Sequence, residues 1–474
     1  MSTFSGLNTA YTGLVAARQG LDVVGQNIAN SNTVGYTRQR VTTSAIGALG
    51  SVGPLASTAQ VGGGVTVESI ARLGNVHLDA RVRSSAGLAG YSAVRGNAIA
   101  EIEVSLREPG ENGLSAQLQE FWASWQGLSN SAGSSAAAGI VLEQAGVLVS
   151  QIARGYEEMQ SQWAHVRSEL GGMTDELNSA ATQVAKLNVT IRSTLAAGGT
   201  VSELLDQRNA LTTTMSALTG ATVSGRPDGM IDVLLAGNAI VSGDTVRPVA
   251  VAGSYLLDGA TDSPVRLEWV HRPGTPVALT GGEIAGAISV LAPIDATKTG
   301  GLIAEAAQSY NELAVAVASQ VNTVHRTGIT ATGATNVDFF LISPTGPAAR
   351  GLSVILTDAS GIAAAAPGSG GLDGSNADAI SQIGTAATSP DTIWAGFVSR
   401  TGVVARTELQ QASLAELAAA SASNAQLANA SVDLDEENVS LLMFQSAYQG
   451  AARVMTAVDE MLDTLINRTG IVGR

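Results

Sequence analysis

The chain contains no cysteine. Disulfide staples and thiolate metal sites are therefore excluded, and the fold must hold by burial and hydrogen bonding alone. Aromatic residues make up only 4% of the sequence, so its cores are predicted to be aliphatic, built on Ala, Val, Leu and Ile. Basic residues are scarce as well. Against 40 Asp and Glu there are 25 Lys and Arg, a formal charge of −15, and Lys186 and Lys298 are the only lysines. Nothing basic is concentrated enough to attract nucleic acid or an anionic membrane, and neither is expected as a partner. No unbroken apolar run reaches the ~18 residues of a membrane span. The chain opens with no basic-then-apolar export leader, Arg18 being its first basic residue. It is expected either to stay in the cytoplasm or to leave by a route that reads something other than a cleaved leader.

What is present is length and two regular patterns. The 474 residues, 45% of them hydrophobic, leave room for about two to four domains with sizeable cores. Near the C-terminus, Leu441, Phe444, Tyr448, Ala451, Met455, Val458, Leu462 and Leu465 recur at alternating spacings of three and four. That is a heptad seam on one helix. Asp433 and Glu436 stand as a capping-box-like start, with Asp435 and Glu437 adding negative charge where the helix dipole favours it. A second seam lies at the other end: Leu7, Ala10, Leu14, Ala17, Leu21, Val24 and Ile28. It runs into Asn27, Asn30 and Gly35, whose residue types favour leaving a helix through turn or left-handed conformations. Asn27 and Asn30 read equally as helix-end residues or as polar contacts between subunits. The two helices are expected to pair as a coiled-coil stalk that is disordered in the isolated monomer and folds when neighbouring subunits surround it, with the rest of the chain looped out between them.

Between the seams the period shifts twice. Residues 37–67 read as an extended linker or small hairpin. Helical patterns follow at about 70–107, 114–130, 135–196 and 201–218, with Trp122, Trp125 and Trp163 as core anchors. From 221 to 280, turn signals such as Pro227-Asp228-Gly229 and Pro273-Gly274 punctuate short alternating runs, which predicts a small antiparallel β domain. Helix returns at 282–291 and about 300–326, strands near 339–342 and 352–356, and helix again from about 391. The fold class expected is mainly α with a small β domain, in nested order. Residues 1–33 with 430–474 form the terminal domain, 34–220 with 281–429 a long-helix bundle domain, and 221–280 an outer β domain.

Catalytic patterns were sought along the whole chain. The four histidines, His77, His165, His271 and His325, show no zinc spacing, and His325 reads as a core or helix-end residue. There is no Gly-x-Ser-x-Gly, and neither lysine follows a phosphate-cradling glycine loop. Asp433-x-Asp435-x-Glu437 starts like a calcium loop, but Asn438 stands where glycine is needed and Phe444 where the bidentate Glu belongs. No catalytic, cofactor or metal site is expected.

The two ends carry a family resemblance. Leu21-Asp22-Val23-Val24-Gly25-Gln26-Asn27-Ile28-Ala29-Asn30 followed by Gly35-Tyr36-Thr37-Arg38-Gln39 resembles the N-terminal signature of bacterial flagellar rod, hook and junction proteins. Leu434-Asp435-Glu436-Glu437, Gln445-Ser446-Ala447-Tyr448-Gln449 and Asp459-Glu460-Met461-Leu462-Asp463-Thr464-Leu465 are similar to the matching C-terminal signature. Inside the chain, Leu205-Asp206-Gln207-Arg208-Asn209, Gly281-Gly282-Glu283-Ile284-Ala285-Gly286 and Val321-Asn322-Thr323-Val324-His325-Arg326-Thr327-Gly328 resemble the junction proteins between hook and filament. Ser289-Val290 departs from the Arg-Asp expected there. The resemblance implies a non-enzymatic structural subunit exported through the flagellar type III apparatus, with an export chaperone and no signal cleavage. It implies an extracellular place in the flagellum, as a ring layer of this chain seated on the hook protein and bearing the next junction protein. Assembly contacts would fall on Leu7, Leu14, Leu21, Val24, Asn27, Ile28, Asn30, Gly35, Leu441, Phe444, Tyr448, Met455, Val458, Leu462 and Leu465. A hook or distal rod subunit, and an exported wall-active enzyme or adhesin on a flagellar scaffold, are the competing readings.

Overall fold

The computed structural model describes residues 3–47 and 62–468. Residues 1–2, 48–61 and 469–474, which fall within the expected terminal and helical domains, lie outside the described residues. The chain opens with α1 (Thr3–Ala29) and a hairpin of β1 (Gln39–Ile46) and β2 (Gly64–Arg72). Four helices follow: α2 (Val76–Leu106), α3 (Leu114–Asn130), α4 (Ser135–Ala196) and α5 (Ser202–Thr219). The β region comprises β3 (Thr222–Gly225), β4 (Ile231–Leu235), β5 (Asn238–Ser242), β6 (Thr245–Val246), β7 (Val249–Ala252), β8 (Arg266–Trp269) and β9 (Arg272–Pro276). Then come α6 (Gly282–Val290), α7 (Leu302–His325), β10 (Phe340–Ile342), α8 (Ala348–Gly351), β11 (Leu352–Val354) and α9 (Ser375–Ser381). The long α10 (Pro390–Ala430) leads into α11 (Leu434–Asp463). The molecule is mainly helical with small antiparallel sheets, the class its sequence periods predict.

The helices start and stop where local chemistry asks. Asn75 caps α2 by accepting from the backbone N–H groups of His77 and Leu78, and Ser389 with Pro390 opens α10. The hairpin continues to Arg72, pairing Gln39 with Arg72, so residues 70–75 finish a strand and a cap where a helix was predicted to begin. The strand ladder and the Asn75 cap claim that backbone first.

The 62-residue α4 is about 93 Å long and forms the spine of the body. Among the described residues it is the one helix long and apolar enough to cross a membrane. Its apolar stripe, including Val141, Leu148, Ile152, Met159 and Trp163, is buried inside the protein. The few aromatics are concentrated. Phe121, Trp125, Phe339 and Phe340 contact one another, with the Trp125–Phe339 centroids 5.2 Å apart. Trp122 donates its indole N–H to Asp391 at 2.8 Å, tying α3 to α10.

The β region forms two sheets, β3-β4-β5-β6 and β7-β8-β9. Val233, Leu235, Val241, Val249 and Leu267 join the same continuous hydrophobic core as the helices. Asn188 of α4 is fully buried and pins the first sheet. It donates to the carbonyls of Ile231 and Gly243 and accepts from the Ile231 N–H and the Arg208 guanidinium. The region's exit needs glycine at Gly282, which sits at φ +86 against α5. A Cβ there would lie 2.2 Å from the Thr219 nitrogen.

Candidate assembly site

α1 and α11 lie antiparallel, and their closest line is not the leucine seam. A Cβ added at Gly6 would meet Val458 at 3.8 Å, at Gly13 Ala451 at 3.9 Å, and at Gly20 the Phe444 ring at 2.4 Å. One heptad further, Asn27 meets Glu437. On each helix the contacting positions are spaced by seven, so one face of α1 stays turned to one face of α11 along the whole pair. Glycine at three of the four α1 positions lets the backbones approach closely and gives the Phe444 ring its slot.

On α11 that line runs through the predicted seam residues Val458, Ala451 and Phe444, while on α1 the predicted seam residues flank it. Val24 of α1 and Val458 of α11 are buried, while Leu7, Leu14, Leu21, Ile28, Leu441, Phe444, Met455 and Leu462 are half-buried. Tyr448 and Leu465 face solvent, at 38% and 55% exposure. The β1–β2 hairpin covers another side of α1, where the Val65 N–H donates to the Thr12 hydroxyl. α1 therefore has two partners within its own chain, and both terminal helices are formed there without a neighbouring subunit. A groove of about 760 Å³ remains between hairpin and α11, lined by Val23, Val41, Val439, Met443 and Phe444 among others.

At the foot of the pair is a polar joint. Asn27 is buried and uses its amide completely. Its Nδ2 donates to Glu437 Oε2 at 3.1 Å and to the Gln39 carbonyl at 2.9 Å, and its Oδ1 accepts from the Gln39 N–H and the Tyr36 hydroxyl. Glu437, 2% exposed, also accepts from Arg38 Nε at 2.7 Å, and Arg38 reaches Glu436 as well. A carboxylate this deep needs both partners, since an unpaired buried charge is costly. Burial works against the Arg38 cation, but its bonds and charge contacts with Glu436 and Glu437 outweigh it and hold its pKa above the ordinary value. Burial, with the nearby charges of Asp206, Glu203 and Glu437, pushes the Tyr36 hydroxyl up to about 12.

Residues 36–39 tie five helices together. Tyr36 and Gln39 bond α1, and Thr37 bonds Asp206 of α5 through both its N–H (3.0 Å) and its hydroxyl (2.8 Å). The Arg38 side chain holds α11, its N–H donates to Ala430 at the end of α10, and its carbonyl accepts from Leu73, two residues before the Asn75 cap of α2. Asn30 and Gly35 serve the turn between. Asn30 donates to the Gln26 carbonyl and accepts from Thr33, and Gly35 takes φ +81.

Several of these roles escaped the reading of the sequence. The sequence marks Glu437 only as charge that compensates the helix dipole, and Asp206 and Thr37 only as parts of motifs. The spacing Gly6–Gly13–Gly20 was the available signal for the contact line. His325 is fully buried at the end of α7. Its Nδ1 lies 2.7 Å from the Val337 carbonyl, and its Nε2 accepts from the Ala363 N–H at 2.9 Å. Among the described residues no group of three or more His, Asp or Glu could hold a metal ion.

Comparison with known proteins agrees with this layout. The family model described as the flagellar hook-associated protein FlgK helical domain matches residues 99–340, more than half of the chain. Flagella basal body rod protein matches residues 7–37, and the flagellar basal body rod FlgEFG protein C-terminal model matches residues 425–468, the two partners of the stalk. Flagellar hook-associated protein 1 of Bacillus subtilis is 28% identical over 513 residues, covering 100% of both chains. That of Escherichia coli is 28% identical over 346 residues, which span 71% of this chain but only 60% of the relative. The solved structure of the flagellar hook junction protein FlgK from Burkholderia pseudomallei shares the fold, with a TM-score of 0.59 at 16% identity, covering 74% of this chain and 99% of that one. The chain belongs to the flagellar hook-associated protein FlgK family and is a structural subunit of the flagellar hook–filament junction.

Proposed function

We propose that the α1–α11 pair is the surface through which copies of this chain assemble with one another and with the adjoining axial subunits, while the body and β region face outward. One observation carries this reading. The stalk leaves a second apolar face of α11 exposed, with Val439, Met443, Val454 and Met461 each at least half exposed. Exposed apolar side chains recurring on one helix face call for a partner, and the chain's own partners are already used on the glycine line. The ring of copies would sit on the hook protein and seat the next junction protein. Export through the type III apparatus with a chaperone, without signal cleavage, and an extracellular place in the flagellum follow from the same reading. The subunit's work is mechanical and structural, not catalytic.

Deleting the gene tests it. Hooks should remain while filament subunits escape unpolymerised into the medium, and cells without hooks would overturn the junction role. Leu462→Asp places a charge beside the contact line. It should block incorporation while leaving the body folded, and normal incorporation of that variant would refute the stalk as the assembly surface.

A further inference from the structure

The stalk meets the body mainly where two chain segments pass between them. Residues 431–433 connect α10 to α11, residues 73–75 connect the hairpin to α2, and the backbone bonds of Arg38 to Ala430 and Leu73 lie at those two segments. The side chain of Asn429 also donates to the Leu73 carbonyl there, at 3.1 Å. Attachments gathered at two segments leave an axis about which the stalk can tilt.

Asp206 stands apart from those segments, on α5. Its side chain is 10% exposed, and it accepts three bonds from the stalk's base: the Thr37 N–H, the Thr37 hydroxyl and Arg72 Nε. Arg72 extends toward Asp79 of α2 at 3.7 Å, and Asp79 accepts from Gln426 of α10. Two further cations, Arg83 and Arg208, are close by. Burial and the neighbouring Arg72 push Arg208 down to about 10, and burial lowers Arg83 despite the charge of Asp79. Asp206 is thus both the off-axis contact and a counter-charge the joint needs. We propose that Asp206 is a positioning residue that fixes the tilt of the terminal stalk on the body by clamping Thr37 and Arg72 from α5.

The test is a distance measurement on the full chain. Because the chain has no cysteine, Ser84→Cys on α2 and Ser446→Cys on α11 supply the only two sites for spin labels. Double electron–electron resonance should give one narrow distance in the otherwise unsubstituted protein. Asp206→Ala and Thr37→Val should each lose that peak to a broad distribution, with far-ultraviolet helix content unchanged. Thr37→Ser keeps the hydroxyl and should restore the narrow peak. If Asp206→Ala loses helix content, Thr37→Val decides, since it removes only a hydroxyl. A broad distribution already in the unsubstituted chain overturns the proposal, as does a narrow peak retained in Thr37→Val and Asp206→Ala. The consequence for assembly rests on the function proposed above. A broadened distance upholds the clamp, and if such a variant still incorporates at the hook tip, that counts against the stalk as assembly surface.

Discussion

Asn27 and Glu437 lie 410 positions apart in sequence and are joined by a 3.1 Å hydrogen bond in the fold. Each sits one heptad beyond the last close helix contact of its seam, where a polar pair sets the end of the packed line. Asn27→Ala removes four hydrogen bonds and leaves Glu437 with Arg38 as its side-chain partner. The expected cost is about 2–4 kcal/mol, confined to the stalk. Hydrogen exchange checks it: protection should fall across residues 5–28 and stay unchanged in α3 and α4.

Gly20 and Gly25 share α1 but differ in surroundings. A Cβ at Gly20 would lie 2.4 Å from the Phe444 ring, while at Gly25 nothing lies within 4 Å. Gly20→Ala should therefore destabilise the pair by about 1–3 kcal/mol through forced displacement of the ring. Gly25→Ala should stabilise α1 by up to ~1 kcal/mol through helix propensity. Exchange rates in α1 would report opposite signs for the two, and Phe444→Ala should relieve most of the Gly20→Ala cost.

Asn188→Ala strips the buried Arg208 of one of its two acceptors and leaves the Ile231 and Gly243 backbone groups unmet. A loss of about 3 kcal/mol or more is expected, because one of the stranded groups is charged. Denaturant unfolding of the body measures it. Asn188→Asp still accepts from Arg208 but turns a carboxylate oxygen toward the Ile231 and Gly243 carbonyls, so it should not recover the loss.

His325 gives the body a pH dependence. Burial lowers its pKa, outweighing its contact with the Val337 carbonyl and the Asp338 charge, which act to raise it. Its Nε2 must also stay unprotonated to accept from Ala363. The unfolded chain takes up the proton more readily, so stability is fully present above the unfolded value of about 6.5 and falls as pH drops below it. His325→Gln should lower stability at pH 7 but flatten its decline between pH 7 and pH 5. Denaturation midpoints across that range provide the comparison.

Much of the architecture could be read in advance because the helices announce themselves. α3 and α4 carry unbroken apolar periods, bounded by the turns at Gly133 and Gly198–Gly199, and the predicted spans 114–130 and 135–196 match the structure. The α11 side of the stalk's contact line, Phe444, Ala451 and Val458, lies in the apolar seam, but its α1 side is hidden for a physical reason. A search for apolar seams weighs side chains, and the residues nearest α11 have none. Polar contacts were hidden by distance along the chain: nothing local marks Thr37 as the partner of Asp206, 169 positions away. Glu437 reads as dipole compensation because it stands in an acidic first turn with Asp435 and Glu436.

The meeting of Asn429 with Leu73 sets an order of events. Joining α1 to α11 directly in an unfolded chain would close a loop of 410 positions, an entropic penalty of roughly 5 kcal/mol from length alone. Once α2 and α10 have come together, their ends already stand side by side, and only the short arms beyond them remain to be brought into register. On loop-closure entropy the body is expected to fold first, as a template on which the two extremities close last. Until α11 is made, α1 has no helix to receive it.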